Sequence, residues 1–201
     1  MIRAIWFCGG SVVGDNPLKQ ECDSMRRKIM KERLNALKVA LDNEMKEHKF
    51  YLMNAERTRN PVGKVMFKQI ASEELEHYER LKQLHENLEK AKKWPETVPL
   101  KVKNTIVKSV MNKAVKNVPA KARGDADDLK ALQTAIKFEA KGTEYYGKLR
   151  NSVTDPKEKA FFNLLANIEH EHYVSLKDTE EYLTDPVSWF RKKESTGLDG
   201  A

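Results

Sequence analysis

Four segments of the chain carry apolar residues at spacings of three and four, which is the pattern of an amphipathic helix. We name the four predicted helices A, B, C and D in chain order. A glutamate interrupts the apolar stripe of each helix, and in B and D a histidine follows it three residues later on the same face. The interrupting residues are Glu44 in helix A, Glu74 and His77 in helix B, Glu139 in helix C, and Glu169 and His172 in helix D.

Capping residues and prolines predict where these helices begin and end. Asn60-Pro61 and Asp155-Pro156 predict the starts of helices B and D, because a polar cap followed by proline favours a first helical turn. Helix A is expected to begin within residues 24–27 and helix C near Asp125, and Asp185-Pro186 is expected to end helix D.

Helices A and B are repeated as C and D at a constant offset of 95 residues, without a gap. Because a pair of helices cannot bury its apolar stripes alone, the two copies are expected to pack face to face. The sequence therefore predicts an all-α fold, a four-helix bundle made of two repeated helix hairpins with a long crossover between B and C. The pairs that match at this offset include Glu44/Glu139, Glu74/Glu169, His77/His172, Tyr51/Tyr146, Pro61/Pro156, Phe67/Phe162 and Ala71/Ala166.

The chain is predicted to form one domain with short extensions at both ends. A shorter basic helix is expected around residues 101–116, within the crossover. The predicted organisation is an N-terminal extension (1–23), the bundle (24–184), which comprises repeat one (24–91), the basic crossover (92–124) and repeat two (125–184), and a C-terminal tail (185–201).

Helical geometry predicts that the four glutamates meet at one level of the bundle. With a rise of about 1.5 Å per residue, Glu44 lies about 24 Å from the A–B turn along helix A, and Glu74 lies about 20 Å from the same turn along helix B. In the second repeat, Glu139 and Glu169 lie at the same distances from the C–D turn. Four carboxylates and two imidazoles should therefore converge in the core.

Four buried carboxylates without counter-ions would repel one another and would be costly to desolvate. Two divalent cations would neutralise them, and oxygen-rich sites with one imidazole per metal suit iron or manganese. By the geometry of carboxylate-bridged bundles, Glu74 and Glu169 are the candidate bridges between the metals. Glu44 with His77, and Glu139 with His172, would complete the two positions.

Composition restricts the remaining possibilities. The chain has two cysteines, Cys8 and Cys22, and no Cys-x-x-Cys pair, so it offers no thiolate metal site and no disulfide framework, and a cytoplasmic location is expected. No apolar run is long enough to span a membrane. Residues 91–123 contain eight lysines and one arginine against a single glutamate. Because stacking aromatics are not interleaved with them, we interpret these lysines as a solvated helical face rather than as a nucleic-acid site.

At this point the sequence resembles the ferritin-like di-iron carboxylate proteins and, more closely, the rubrerythrin family. The resemblance covers residues 33–183, and it implies a non-haem centre of two iron ions that reacts with hydrogen peroxide or dioxygen in oxidative-stress defence. It also implies a homo-oligomer, with a dimer favoured. The segments that carry it are Glu44 with Phe50-Tyr51, Glu74-Leu75-Glu76-His77, Glu139 with Tyr145-Tyr146, and Glu169-His170-Glu171-His172.

The sequence departs from the rubrerythrin pattern in two respects. It lacks the paired Cys-x-x-Cys motifs of a rubredoxin domain, so electrons would have to come from a separate donor, such as a rubredoxin-type protein. The extra glutamate that the family carries three residues after the helix C ligand is Gly142 here. Glu47 follows Glu44 by the same three residues on helix A, and its role stays open. Tyr51 and Tyr146, on the stripe of the candidate ligands, are candidates for hydrogen bonds to metal-bound carboxylates.

Two functions remain open at this stage, beside a weaker third. The first is an enzyme in which Glu44, Glu74, His77, Glu139, Glu169 and His172 hold the metals that carry the chemistry. The second is an iron-binding protein that oxidises, stores or delivers iron, because the same six residues resemble bacterioferritin-type centres. The third is a scaffold or a nucleic-acid partner that binds through the basic crossover.

Overall fold

The structure, a computed structural model, describes residues 17–91, 105–118 and 123–198. The other parts of the predicted N-terminal extension, the basic crossover and the C-terminal tail lie outside the described residues. Within the described residues the chain forms six helices. They are α1 (Pro17–Arg57), α2 (Pro61–Ala91), α3 (Val107–Lys116), α4 (Ala126–Ser152), α5 (Pro156–Thr184) and α6 (Pro186–Leu198).

The predicted fold class is confirmed. Helices A, B, C and D correspond to α1, α2, α4 and α5; α1 packs along α2 and α4 packs along α5, so each repeat is a helix hairpin. The hairpins then pack on each other, α1 against α4 and α2 against α5. Contacts between residues 51 and 139, and between residues 146 and 44, show that α1 and α4 run antiparallel. The result is a ferritin-like four-helix bundle.

The tight turns within both hairpins have the predicted caps. Asn60 Oδ1 accepts hydrogen bonds from the backbone N–H groups of Val62 and Gly63, at 2.9 and 3.0 Å. Asp155 Oδ1 accepts from Lys157 and Glu158 in the same way, at 2.8 and 3.1 Å. Each cap contributes about 1 kcal/mol and fixes the residue at which its helix begins. The turns therefore set the level at which the glutamates of the paired helices meet.

Two apolar clusters fill the bundle, one on each side of the interrupting glutamates. One cluster, near the α1–α2 turn, includes Phe67, Leu132 and Leu183. The other, near the α4–α5 turn, includes Leu84 and Leu165. The polar residues therefore lie between two dry, close-packed layers.

The crossover helix α3 is amphipathic. Its buried residues, Val107, Met111 and Val115, recur every four positions and face α2 and α5. Lys108 and Lys113 are exposed to solvent. The part of the crossover that the structure describes is thus a helix with one docked face and a solvated basic face.

Three details differ from the sequence-based expectation. Helix α1 begins at Pro17, before the start predicted within residues 24–27. The predicted tail contains α6, because Pro186 both ends α5 and occupies the favoured first turn of a new helix. Cys22 is disulfide-bonded, so the expectation of a chain without disulfides is wrong at this residue; two cysteines offer no spacing pattern that predicts pairing. The cytoplasmic location loses its cysteine argument and stays a prediction.

Helix α6 docks on the end of the bundle through an aromatic cluster. Trp189 is buried and donates a hydrogen bond from Nε1 to Asp178 Oδ1, at 2.7 Å. Its ring meets that of Tyr182 edge to face, with centroids 5.4 Å apart. In the described residues, no helix is both long and apolar enough to cross a membrane.

Candidate metal centre

The six interrupting residues converge in the middle of the bundle, and all of them are buried. At most 3% of any of their surfaces is exposed. Two overlapping groups offer donor atoms that lie within 4.8 Å of one another. One group is Glu44, Glu74, His77 and Glu169, and the other is Glu74, Glu139, Glu169 and His172.

Glu74 and Glu169 belong to both groups, whereas each of the other four residues belongs to one. The arrangement therefore has two positions that share two carboxylates. Either group could hold a metal ion, with three carboxylates and one imidazole around it. Glu74 and Glu169 occupy the place that bridging carboxylates would take.

Both imidazoles face the cluster through Nδ1. His77 Nδ1 lies 3.2 Å from Glu44 Oε2, 3.1 Å from Glu74 Oε2 and 3.6 Å from Glu169 Oε1. His172 Nδ1 lies 3.1 Å from Glu74 Oε1 and 3.5 Å from Glu139 Oε2. The two rings are nearly parallel, with centroids 6.0 Å apart. Equivalent atoms of the two repeats thus face each other across the site.

Two tyrosines link each repeat to a carboxylate of the other. Tyr51 donates a hydrogen bond from its hydroxyl to Glu139 Oε1, and Tyr146 donates one to Glu44 Oε1. All four side chains are buried. These hydrogen bonds hold one oxygen of each carboxylate, which orients the other oxygen towards the interior of the cluster.

Burial and the nearby carboxylates favour the protonated forms of several groups in the cluster. Burial and the nearby Glu74 raise the pKa of Glu44 to about 8, and burial with Glu74 and Glu139 raises the pKa of Glu169 well above its usual value. Burial opposes a charge on His77, but Glu74 and Glu44 outweigh it and raise its pKa to about 10. A group of carboxylates that must retain protons to stay buried is one that a cation can enter by displacing them.

Unused donor atoms point to the same conclusion. Within the part of the chain that the structure describes, several buried donor atoms lie close to one another without hydrogen-bond geometry, among them Glu74 Oε1, Glu139 Oε2, Glu169 Oε1 and His172 Nδ1. Buried polar atoms normally have partners. These four belong to the second group, and carboxylate oxygens with an imidazole nitrogen are the donors that iron and manganese accept. The residues present therefore fit a metal.

Gly142 leaves room for a carboxylate. A Cβ atom at this position would lie 2.6 Å from Glu169 Oε2 and 3.1 Å from Glu169 Cδ. Any side chain at residue 142 would therefore displace Glu169 from its present position. Gly142 therefore has a steric role, because it allows a carboxylate shared by both groups to approach helix α4.

Glu47 lies next to the cluster on α1. Burial, followed by the charges of Glu74, Glu139 and Glu44, raises its pKa to about 10, and His172 acts in the opposite direction. Glu47 is partly buried and stands one turn from Glu44 on the same helix face. It is thus an additional carboxylate at the edge of the site.

Sequence reasoning missed Glu73, whose Oε2 lies 2.6 Å from His172 Nε2. Although burial opposes it, the hydrogen bond from His172 lowers the pKa of Glu73 to about 2. The residue has no counterpart in the other repeat, where Ile168 stands at the same offset. Glu73 was passed over because it has no repeated counterpart and does not lie on the stripe of Glu74 and His77 that the spacing selected.

His48 also lies beside the site without joining either group. Its Nδ1 lies 2.7 Å from the backbone oxygen of Ala71, which braces α1 against α2. The structure therefore gives His48 a packing role between the helices of the first hairpin.

The fold and the cluster together define a class of protein: a helical bundle whose core presents carboxylates and imidazoles for metal binding. Comparison with protein families identifies the family within that class. The family model described as Rubrerythrin matches residues 35–180, and the chain belongs to this family. Searches of curated proteins and of solved structures found no match.

Proposed function

We propose that the protein is a non-haem di-iron oxidoreductase that reduces hydrogen peroxide or dioxygen with electrons from a separate donor protein. The observation that carries this proposal is the pair of overlapping groups that share Glu74 and Glu169. Two positions with common carboxylates would keep two metal ions close enough to act on one small molecule. Glu44 with His77, and Glu139 with His172, would complete the two positions, and manganese fits the same donors.

When bound there, two iron ions supply one electron each and open coordination positions for a small oxidant. Reduction of one hydrogen peroxide to two waters takes two electrons and two protons, so a donor protein must return two electrons per turnover. The chain has no Cys-x-x-Cys pair that could hold a mononuclear iron donor of its own. We assign the donor to a separate protein of the rubredoxin type, as the resemblance to rubrerythrins implies.

The protein's own contribution is to fix the donors and to exclude water. The buried positions of the six residues and the apolar layers on both sides keep the cluster dry. Tyr51 and Tyr146 hold the carboxylates of Glu139 and Glu44. Their pKa values are raised well above that of free tyrosine by burial first and by the nearby carboxylates, so both hydroxyls remain donors at neutral pH.

The experiment that tests the proposal is anaerobic loading of metal-free protein with Fe²⁺, followed by elemental analysis and addition of one equivalent of peroxide. We expect about two irons per chain and rapid oxidation of both. The double variant Glu74→Ala/Glu169→Ala should bind little iron, whereas Glu79→Ala, which removes an exposed carboxylate from the same helix, should behave as wild type. A folded wild type that binds no iron would disprove the proposal.

The alternative function is iron oxidation, storage or delivery without a dedicated small-molecule substrate. The six-residue set alone is compatible with it. Assembly size separates the two functions, since storage requires a hollow multimer and a reductase does not. Light scattering that gives a dimer, together with peroxide consumption sustained by an added reduced rubredoxin, supports the reductase. A large hollow assembly that retains many irons per chain supports storage.

A further inference from the structure

The two repeats are alike in the six cluster residues but differ in the residues around them. Glu73 and Glu47 of the first repeat correspond to Ile168 and Gly142 of the second. The first repeat thus brings two extra carboxylates to the site, and the second repeat brings none at these positions. Two metal positions bind equally only if their surroundings are equal. The contacts of Glu73 and Glu47 therefore decide which metal position each carboxylate affects.

Glu73 serves His172, a residue of the opposite repeat. Its Oε2 lies 2.6 Å from His172 Nε2, while Nδ1 of the same ring faces the cluster. The other oxygen, Oε1, accepts hydrogen bonds from Gln69 Nε2 at 2.7 Å and from the backbone N–H of Ile106 at 3.2 Å. Glu73 is therefore held from both sides, by its own helix and by the residue that precedes α3.

Such a carboxylate has a defined effect on a metal-binding imidazole. A hydrogen bond from one ring nitrogen fixes the tautomer and the orientation of the ring, and it makes the other nitrogen a stronger donor. His77 cannot receive the same support from the equivalent position of α5, because that position holds Ile168, whose side chain has no acceptor. The two histidines occupy equivalent places in the bundle, but only His172 has a carboxylate at this neighbouring position.

Glu47 is the second difference between the two repeats. Its electrostatic partners include Glu139 and His172, together with Glu74 and Glu44. At the equivalent place in α4, Gly142 carries no side chain, and the carboxylate of Glu169 approaches the helix instead. Because Glu47 interacts with residues of both positions, it does not distinguish them, and the difference between the positions rests on the hydrogen bond between Glu73 and His172.

We infer that the two metal positions are unequal, and that the position of Glu139 and His172 binds a divalent cation more tightly than the position of Glu44 and His77. The inference rests on the proposed function in one respect, namely that the cluster binds two cations. Glu73 is a positioning residue for the tighter site, and it couples that site to the crossover through Ile106. Loss of a partner of this kind typically weakens metal binding 10- to 100-fold.

The test is calorimetric titration of metal-free protein with Co²⁺, a probe whose visible absorption also reports its coordination. We expect two binding events whose dissociation constants differ by about tenfold or more. Glu73→Ile, which copies the residue of the other repeat, should weaken the tighter event by about that factor and bring the two constants together. Glu73→Gln keeps an acceptor without the charge, so it should fall between wild type and Glu73→Ile.

Two further variants assign the events to positions. His172→Gln should remove the tighter event, and His77→Gln should remove the weaker one and leave the tighter one in place. Glu79→Gln, an exposed charge removal on α2, is the control and should change neither. Circular dichroism of each variant establishes that the helices remain.

The outcomes distinguish this inference from the proposed function. Two events of equal affinity in wild type, or loss of the tighter event in His77→Gln, would overturn the inference and leave the proposed function intact. Failure of wild type to bind Co²⁺ and Fe²⁺ at all would overturn both. A Glu73→Ile variant that is folded and binds both ions as wild type does would show that Glu73 has no positioning role.

Discussion

Replacing Gly142 by alanine should weaken metal binding while the bundle remains folded. The added Cβ would lie 2.6 Å from Glu169 Oε2, and an ordinary contact requires about 3.4 Å, so the carboxylate oxygen must move by about 0.8 Å. Because the obstructed atom is the end of a side chain, the backbone of α4 can stay in place. The displaced group is, however, a carboxylate shared by both candidate metal positions.

Gly147 provides the matched control, since it lies in the same helix and a Cβ there would contact nothing within 4 Å. Alanine is favoured over glycine within a helix by about 1 kcal/mol, and both variants gain this amount. Gly147→Ala should therefore be more stable than wild type. Gly142→Ala should lose that gain to crowding, which costs about 1–3 kcal/mol in a packed interior.

The assay combines thermal unfolding of metal-free protein with anaerobic titration of Fe²⁺ against a competing chelator. Gly147→Ala should unfold a few degrees higher than wild type and bind iron equally well. Gly142→Ala should unfold no higher than wild type and bind iron about 10- to 100-fold more weakly. Equal iron affinities in the two alanine variants would refute the reasoning, because they would show that the position of Glu169 does not matter for the metals.

Three further predictions concern the surroundings of the cluster. Tyr146→Phe removes the hydrogen bond to Glu44 and should weaken metal binding about tenfold in the Fe²⁺ titration. The control is Tyr145→Phe, which loses a hydrogen bond to a backbone oxygen and should leave the metal affinity unchanged. Trp189→Ala should lower the free energy of unfolding by about 3 kcal/mol in urea denaturation, since it removes a buried indole and its hydrogen bond, and a loss below 1 kcal/mol would argue against docking of α6. Metal-free protein should become less stable as the pH rises from 7 to 10, because the pKa values of Glu44 and His77 are raised to about 8 and about 10. The native state then holds protons that the unfolded chain has released, and that stabilisation is lost as the pH passes the native values. The difference in melting temperature between metal-loaded and metal-free protein should therefore increase as the pH rises.

The sequence predicted those features that depend on local periodicity. The apolar stripes, the caps at Asn60 and Asp155 and the common level of the glutamates all follow from 3.6 residues per turn and from the chemistry of helix starts. The structure brings the six cluster residues together as that geometry requires. The role of Gly142 was beyond the sequence, because a close approach between α4 and Glu169 depends on how two helices pack, not on the spacing within either.

Glu73 was beyond sequence reasoning for a related reason. It is one glutamate among several in a highly charged helix, and only the crossing of α2 with α5 shows that it meets His172. The helix α6 was also missed, since a proline after Asp185 was interpreted only as a stop. In both cases the residue was visible in the sequence, but its role depends on a contact with another helix, His172 of α5 for Glu73 and Asp178 of α5 for α6.

The pairing across the bundle also shows that the unit capable of binding metal is the pair of repeats and not the single hairpin. Each group that could hold an ion takes three residues from one repeat and one from the other, Glu169 in the first group and Glu74 in the second. Tyr51 and Tyr146 likewise donate across the repeat boundary. One hairpin alone would therefore have an incomplete site and an exposed apolar face. Because each group includes a carboxylate from the opposite copy, a substitution in one repeat changes the surroundings of the other, and a doubled sequence can in this way acquire two unequal positions.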